Sequence, residues 1–197
     1  FLEGDVQHWW HPPLGQGLRT KFADDLLWLP WFTAYYLRVS GDRAILDERA
    51  NYLATRALEG EEAEIFTRPE ATQASGDLYE HCCKAIDRSL QRGRHGMNRV
   101  GIGGRGESVW MGFFLYTVLG DFLPVCALRG DEERVARYTA HRKLLHEALN
   151  ADGWDGRWYR RGWYDDGAVL GSQASDECRI DALVQAWAVL SGAAPPE

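Results

Sequence analysis

Asp24-Asp25-Leu26-Leu27-Trp28-Leu29, introduced by Gly17-Leu18-Arg19-Thr20-Lys21-Phe22, sets two adjacent carboxylates at the mouth of an apolar helix. Side chains four apart on a helix share a face, so Asp24 and Trp28 can border one pocket while Asp25 points roughly 100° away. Carboxylates beside an aromatic plate can grip sugar hydroxyls or protonate a glycosidic oxygen. A plainer reading fits the same residues: an acidic first turn stabilises the helix dipole and Trp28 fills the core. Paired aspartates also hold magnesium and a diphosphate, but that use needs a third acidic group three or four residues on. Leu27 and Trp28 stand there, so no metal is expected.

The helix itself reads as 25–40, with Pro30 early enough to be tolerated, and Gly41-Asp42 ends it and caps a second helix over 43–54. A loop with glutamates and Pro69 follows, then a helix over 77–92. Gly101-Ile102-Gly103-Gly104-Arg105-Gly106 is a glycine-rich loop before a long apolar helix over 107–128. It lacks the preceding strand and the Gly-Lys-Ser/Thr of a phosphate cradle, so its glycines are read as tight turns. Asp131 opens an amphipathic helix to about residue 149, 154–167 reads as a short hairpin, and 178–191 as a closing helix. This succession predicts an all-α fold, a toroid of paired helices with a small β-hairpin.

Composition narrows the function. With 197 residues and 45% hydrophobic content the chain can bury a core as one domain. A net charge of -7 argues against a nucleic-acid partner. Glu59, Glu61, Glu62 and Glu64 read as a solvated surface. No run is expected to approach the ~18 apolar residues of a membrane span. Phe1-Leu2-Glu3-Gly4-Asp5 carries no signal peptide and starts like the middle of a protein, so a fragment is expected. Cys82, Cys83, Cys126 and Cys178 are spaced for a reducing compartment rather than a disulfide framework, and His81, Cys82, Cys83 and His95 lack zinc-site spacing.

Nine tryptophans and eight tyrosines exceed what such a core requires, and many sit beside polar groups. His8-Trp9-Trp10-His11-Pro12-Pro13 and Trp163-Tyr164-Asp165-Asp166-Gly167 are examples. Flat apolar faces edged with hydrogen-bonding groups suit sugar rings; most such rings nevertheless only seal gaps between helices. Trp9, Trp10 and Trp28, near Arg19 and the aspartates in sequence, favour a ligand.

Gly4-Asp5-Val6-Gln7-His8-Trp9-Trp10-His11-Pro12-Pro13, the Arg19–Leu29 run, Asn98-Arg99-Val100-Gly101, Gly104-Arg105-Gly106-Glu107-Ser108-Val109-Trp110 and Glu177-Cys178-Arg179-Ile180-Asp181 resemble, in order, glycoside hydrolase family 94. The likeness is to the C-terminal phosphorylase-like region of cyclic β-1,2-glucan synthases. It implies part of an (α/α)6 barrel, over 1–197 and incomplete at both ends, and inverting phosphorolysis of β-glucosidic bonds. Phosphate would be co-substrate, with no other cofactor, and a β-glucan oligosaccharide the substrate. The remainder of a larger membrane-associated synthase would be the partner, with this domain on the cytoplasmic side. Arg19, Asp24 and Asp25 resemble residues that hold the transferred glucosyl unit, and Phe22, Trp9, His11 and Trp28 would shape the same pocket. In the family a Gly-Asp-Trp-Asn-Asp segment bearing the general acid precedes the Met-Asn-Arg matched by Met97-Asn98-Arg99. Here His95-Gly96 runs straight into Met97, so the catalytic acid is unknown, with Asp24 the fallback. An inverting hydrolase or a non-catalytic carbohydrate-binding remnant are the alternatives.

Overall fold

A computed structural model describes residues 1–101 and 104–195, so Ile102 and Gly103 of the glycine-rich loop and the final Pro196 and Glu197 lie outside the described residues. The chain divides into two compact units, Phe1–Ser89 and Leu90–Glu197.

The first unit opens with an antiparallel hairpin, β1 (Gln7–His11) and β2 (Gln16–Thr20), and β2 also pairs with β4 (Glu64–Thr67). Gly17 is required there: a Cβ would run into the backbone of Trp9 and Trp10 on the neighbouring strand. α1 (Asp25–Ser40) buries Leu26, Leu27, Pro30, Thr33 and Ala34, a stripe at helical spacing that packs on α2 (Leu78–Ser89). Gly41 stops α1 in the left-handed conformation, φ 70°, with its N–H on the Leu37 carbonyl. Asp42 then caps only a single 3-10 turn, Arg43–Asp47, before the chain extends into β3 (Arg49–Ala54), which pairs with β5 (Glu70–Asp77).

The second unit is built around α3 (Val109–Leu128). By length and composition α3 could cross a membrane, which corrects the expectation that no such run exists; 61% of its most apolar stretch is buried in the fold. α4 (Glu132–Ala148) and α5 (Ala182–Ser191) pack on it, so it is a core helix, apolar on nearly every side. Asp131 and Asp181 cap α4 and α5 through side-chain oxygens. Short strands β6 (Asn98–Arg99), β7 (Glu107–Ser108), β8 (Gly162–Trp163) and β9 (Val169–Leu170) form a four-stranded antiparallel sheet.

Three antiparallel sheets among the described residues overturn the all-α expectation and, with it, the (α/α)6 barrel with one small hairpin: the chain is mixed α and β. The helix expected over 43–54 is a 3-10 turn and a strand, and the loop expected around Pro69 is β4 and β5. Tyr52 explains part of the error. It is 5% exposed, between outward-facing neighbours, and its ring packs on His81 with centroids 4.3 Å apart. A strand holds it there because β5 is available as a partner, and tertiary pairing overrides local propensity.

His141 on α4 is buried, and its Nε2 has no hydrogen-bond partner among the described residues. Burial, with the Arg92 charge adding to it, lowers its pKa from an ordinary 6.5 to about 4. The folded state therefore binds fewer protons than the unfolded state between these values, and stability falls as pH drops through that window. A loss on the order of 3 kcal/mol is expected between pH 7 and 4. Urea unfolding of the native chain and of His141→Phe at both pH values checks this: the His141-dependent slope should vanish in the variant.

Candidate functional site

The β1–β2 hairpin delivers its side chains to the N-terminus of α1. Thr20, the last residue of β2, donates its hydroxyl to Asp25 Oδ2 at 2.6 Å, and His8 Nδ1 donates to Asp25 Oδ1 at 2.8 Å. The Phe22 N–H donates to the Thr20 hydroxyl oxygen at 3.2 Å, and the Phe22 ring meets His8 edge-on at 5.6 Å. Both oxygens of Asp25 are thus engaged, and its side chain is only 8% exposed. Asp24 differs: half-buried, it makes no side-chain cap to the helix. It is the carboxylate of the pair left open to a ligand hydroxyl.

Strand alternation sorts the neighbours. Trp9, Leu18 and Phe66 stand opposite one another across β1, β2 and β4, so they share a face of the sheet, and the Trp9 and Phe66 rings lie 5.9 Å apart. Trp9 and Phe66 are 43% and 60% exposed, an uncovered aromatic row on the sheet that carries Thr20. His11, at the end of β1, is exposed. Trp28 belongs to a ladder along α1, meeting Trp31 at 5.8 Å and Phe32 at 6.2 Å.

Arg19 faces the other side of β2. Its Nε donates to Asp5 Oδ2 at 2.6 Å and Nη2 to Asp5 Oδ1 at 3.0 Å, while Nη1 reaches the carbonyls of Thr55 and Arg56, both at 3.2 Å. Nη2 also lies 3.4 Å from Glu3, and the Phe1 ring covers the guanidinium at 4.1 Å. All five donors have acceptors, and the side chain is 4% exposed. Arg19 therefore fixes the hairpin from behind, while Asp25, His8, Thr20 and Phe22 come together at the start of α1. Asp5, His8, Thr20 and Phe66 were not singled out from sequence as site residues. The signal for three of them was the hairpin, hidden because Trp9-Trp10-His11 shows no alternation and the pairing slips between Gln7 and Trp9.

In the second unit Glu107, 2% exposed, organises the turn that runs from Gly93 through Gly96 into Met97. Its carboxylate accepts the His95 N–H at 2.9 Å, His95 Nδ1 at 2.8 Å and the Met97 N–H at 2.9 Å. The Gly93 N–H closes on the Met97 carbonyl at 2.8 Å. His95 in turn stacks on Trp163, centroids 4.1 Å apart.

Exposed aromatic rows beside open carboxylates are the equipment of carbohydrate-directed proteins. The chain belongs to the glycosyl hydrolase 94 superfamily, matching its catalytic domain over residues 1–197. It is 43% identical over 205 residues to the cyclic beta-(1,2)-glucan synthase NdvB of Rhizobium meliloti (strain 1021), covering 98% of this chain and 7% of that protein. It is 34% identical over 182 residues to a solabiose phosphorylase of Paenibacillus borealis, covering 89% of this chain and 22% of that enzyme. A 3-O-beta-D-glucopyranosyl-beta-D-glucuronide phosphorylase of the same organism is 27% identical over 211 residues, covering 98% of this chain and 25% of the relative. The chain thus spans a quarter or less of these proteins. The synthase match is longer than this chain, so the synthase carries residues within the matched span that are missing here.

Proposed function

We propose that the chain is part of a glycoside phosphorylase or glycosyltransferase domain that handles a β-1,2-linked glucan, with inorganic phosphate as co-substrate and no other cofactor. The observation that carries this reading is the junction of the β1–β2 hairpin with α1. There the uncapped Asp24 precedes a fixed Asp25, and the hairpin that holds Asp25 carries the exposed row of Trp9 and Phe66. The ring C–H face of a glucosyl unit would lie on the aromatic row, and its hydroxyls would donate to Asp24. Asp25 and Arg19 hold that geometry, and Phe22, His11 and Trp28 border it. Family membership and the names of the relatives support the reaction class.

In inverting phosphorolysis phosphate attacks the anomeric carbon from the face opposite the leaving sugar, and one acid protonates the departing oxygen. Phosphate is already an anionic nucleophile, so the base an inverting hydrolase needs is dispensable. The general acid is the part this chain lacks. The tight turn that Glu107 closes between Gly93 and Met97 supports that reading, since it leaves no carboxylate of an inserted segment at that point. In the cell the domain would work on the cytoplasmic side as part of a larger membrane-associated synthase.

Product analysis tests the reaction class. In a version of the chain with a Gly-Asp-Trp-Asn-Asp segment inserted between Gly96 and Met97, turnover of linear β-1,2-glucan should require phosphate and yield α-glucose 1-phosphate. Free glucose formed without phosphate would make it a hydrolase. Sugar binding with no turnover would make it a binding module.

A further inference from the structure

The second unit contains a cavity of about 510 Å³ walled by Glu107, Arg161, Trp163, Tyr164, Asp165 and Asp166. This is within the usual size of a small-ligand pocket. Its floor is stiff. Trp163 is 7% exposed and stacked on His95, which Glu107 fixes in turn. Asp165 Oδ1 accepts the N–H of Arg105 at 3.0 Å and of Gly106 at 2.5 Å, tying the glycine-rich loop to the β8–β9 turn. Those N–H groups hold the Asp165 carboxyl below the usual range, so it is ionised at neutral pH.

The electrostatics choose the ligand. Arg161 donates to the Ser108 hydroxyl at 2.9 Å and pairs with Asp181 at 3.0 Å, so its charge is already compensated. Glu107 is saturated by His95 and Met97. Asp165 and Asp166 each spend Oδ1 on backbone N–H groups, and their Oδ2 atoms have no partner among the described residues. Arg161 is the one cation among the described lining residues and is already paired, and Arg105, whose charge acts on Asp165, does not line the cavity, so an anion such as phosphate would meet a negative rim. A neutral polyol would meet two free acceptors, and the Tyr164 ring, which also lines the cavity, is 55% exposed.

We propose that this cavity is a second carbohydrate subsite, separate from the hairpin junction, which takes a neutral pyranose. The sugar's C–H face rests on the exposed Tyr164 ring, and its hydroxyls donate to the free oxygens of Asp165 and Asp166. That the pyranose is a glucosyl unit of a β-1,2-glucan rests on the function proposed above; the two sites lie in different units and fail independently.

The test is calorimetric titration of the 197-residue chain with a linear β-1,2-gluco-oligosaccharide, beside Tyr164→Ala, Asp166→Asn and Asp25→Asn, with melting temperatures as folding controls. Asp166→Asn keeps the oxygen that accepts the Ala168 N–H, so it isolates the ligand-facing atom. Tyr164→Ala should weaken binding at least tenfold and Asp166→Asn several-fold, both without a change in melting temperature. Wild-type affinity in both cavity variants overturns the subsite, and if Asp25→Asn alone loses affinity the hairpin reading survives. Loss in the cavity variants with an unaffected Asp25→Asn supports the subsite and contradicts the hairpin reading. No binding by the native chain, or Tyr164-dependent binding of inorganic phosphate, overturns the subsite.

Discussion

Incubated with phosphate and linear β-1,2-glucan, the 197-residue chain is expected to release no measurable α-glucose 1-phosphate. General acid catalysis typically contributes about 10²–10⁴-fold, and on the proposed function the group that would supply it belongs to a segment this chain lacks between Gly96 and Met97. No neighbour substitutes readily. Glu107 meets that turn through hydrogen bonds from His95 and Met97, which occupy its carboxylate. Asp24 is the fallback donor, and turnover that disappears in Asp24→Asn would assign it that role. Inserting the acid-bearing segment should raise the rate by about 10²–10⁴-fold. Robust product from the unaltered chain would show that a proton donor already lies within it.

Asp5→Ala should destabilise the first unit by about 3–5 kcal/mol, the cost of stranding one member of a buried ion pair. Asp5 is 4% exposed and takes two hydrogen bonds from Arg19, whose guanidinium would be left buried against Phe1 with only the half-exposed Glu3 as counter-charge. Replacing both partners, Asp5→Leu with Arg19→Met, should cost less than Asp5→Ala alone, because no charge is then left unpaired. Urea unfolding followed by tryptophan fluorescence measures both. A single variant as stable as the native chain would mean that Arg19 is held by something other than Asp5, and the hairpin would lose its assigned anchor.

Helices were legible where a cap and an apolar stripe coincide in sequence. Asp24-Asp25 and Gly41 bracket α1, and Asp131 announces α4; the closing helix, read from Cys178, begins only at Ala182 behind the Asp181 cap. The strands were not, because they are short or lack alternation. Ala71-Thr72-Gln73-Ala74-Ser75 has no apolar period and is a strand only because β3 pairs with it. Length and composition alone also misjudge α3, whose apolar faces are explained by α4 and α5 packing on it. For the candidate site, the Asp24-Asp25 pair and Trp9 could be read from their chemistry. The division of labour could not: that Arg19 turns its fork to Asp5 depends on which side of β2 it faces, and so on the hairpin register.

On the proposed function, the hairpin–α1 junction holds the sugar. The most direct measurement is the indole N–H signal of Trp9 in a nitrogen-15 spectrum as linear β-1,2-gluco-oligosaccharide is added. That signal should shift saturably in the native chain. In Asp24→Asn the shift should need at least tenfold more sugar, with the fold unchanged. A Trp9 signal that stays still while the sugar binds elsewhere, or that moves identically in Asp24→Asn, would contradict it.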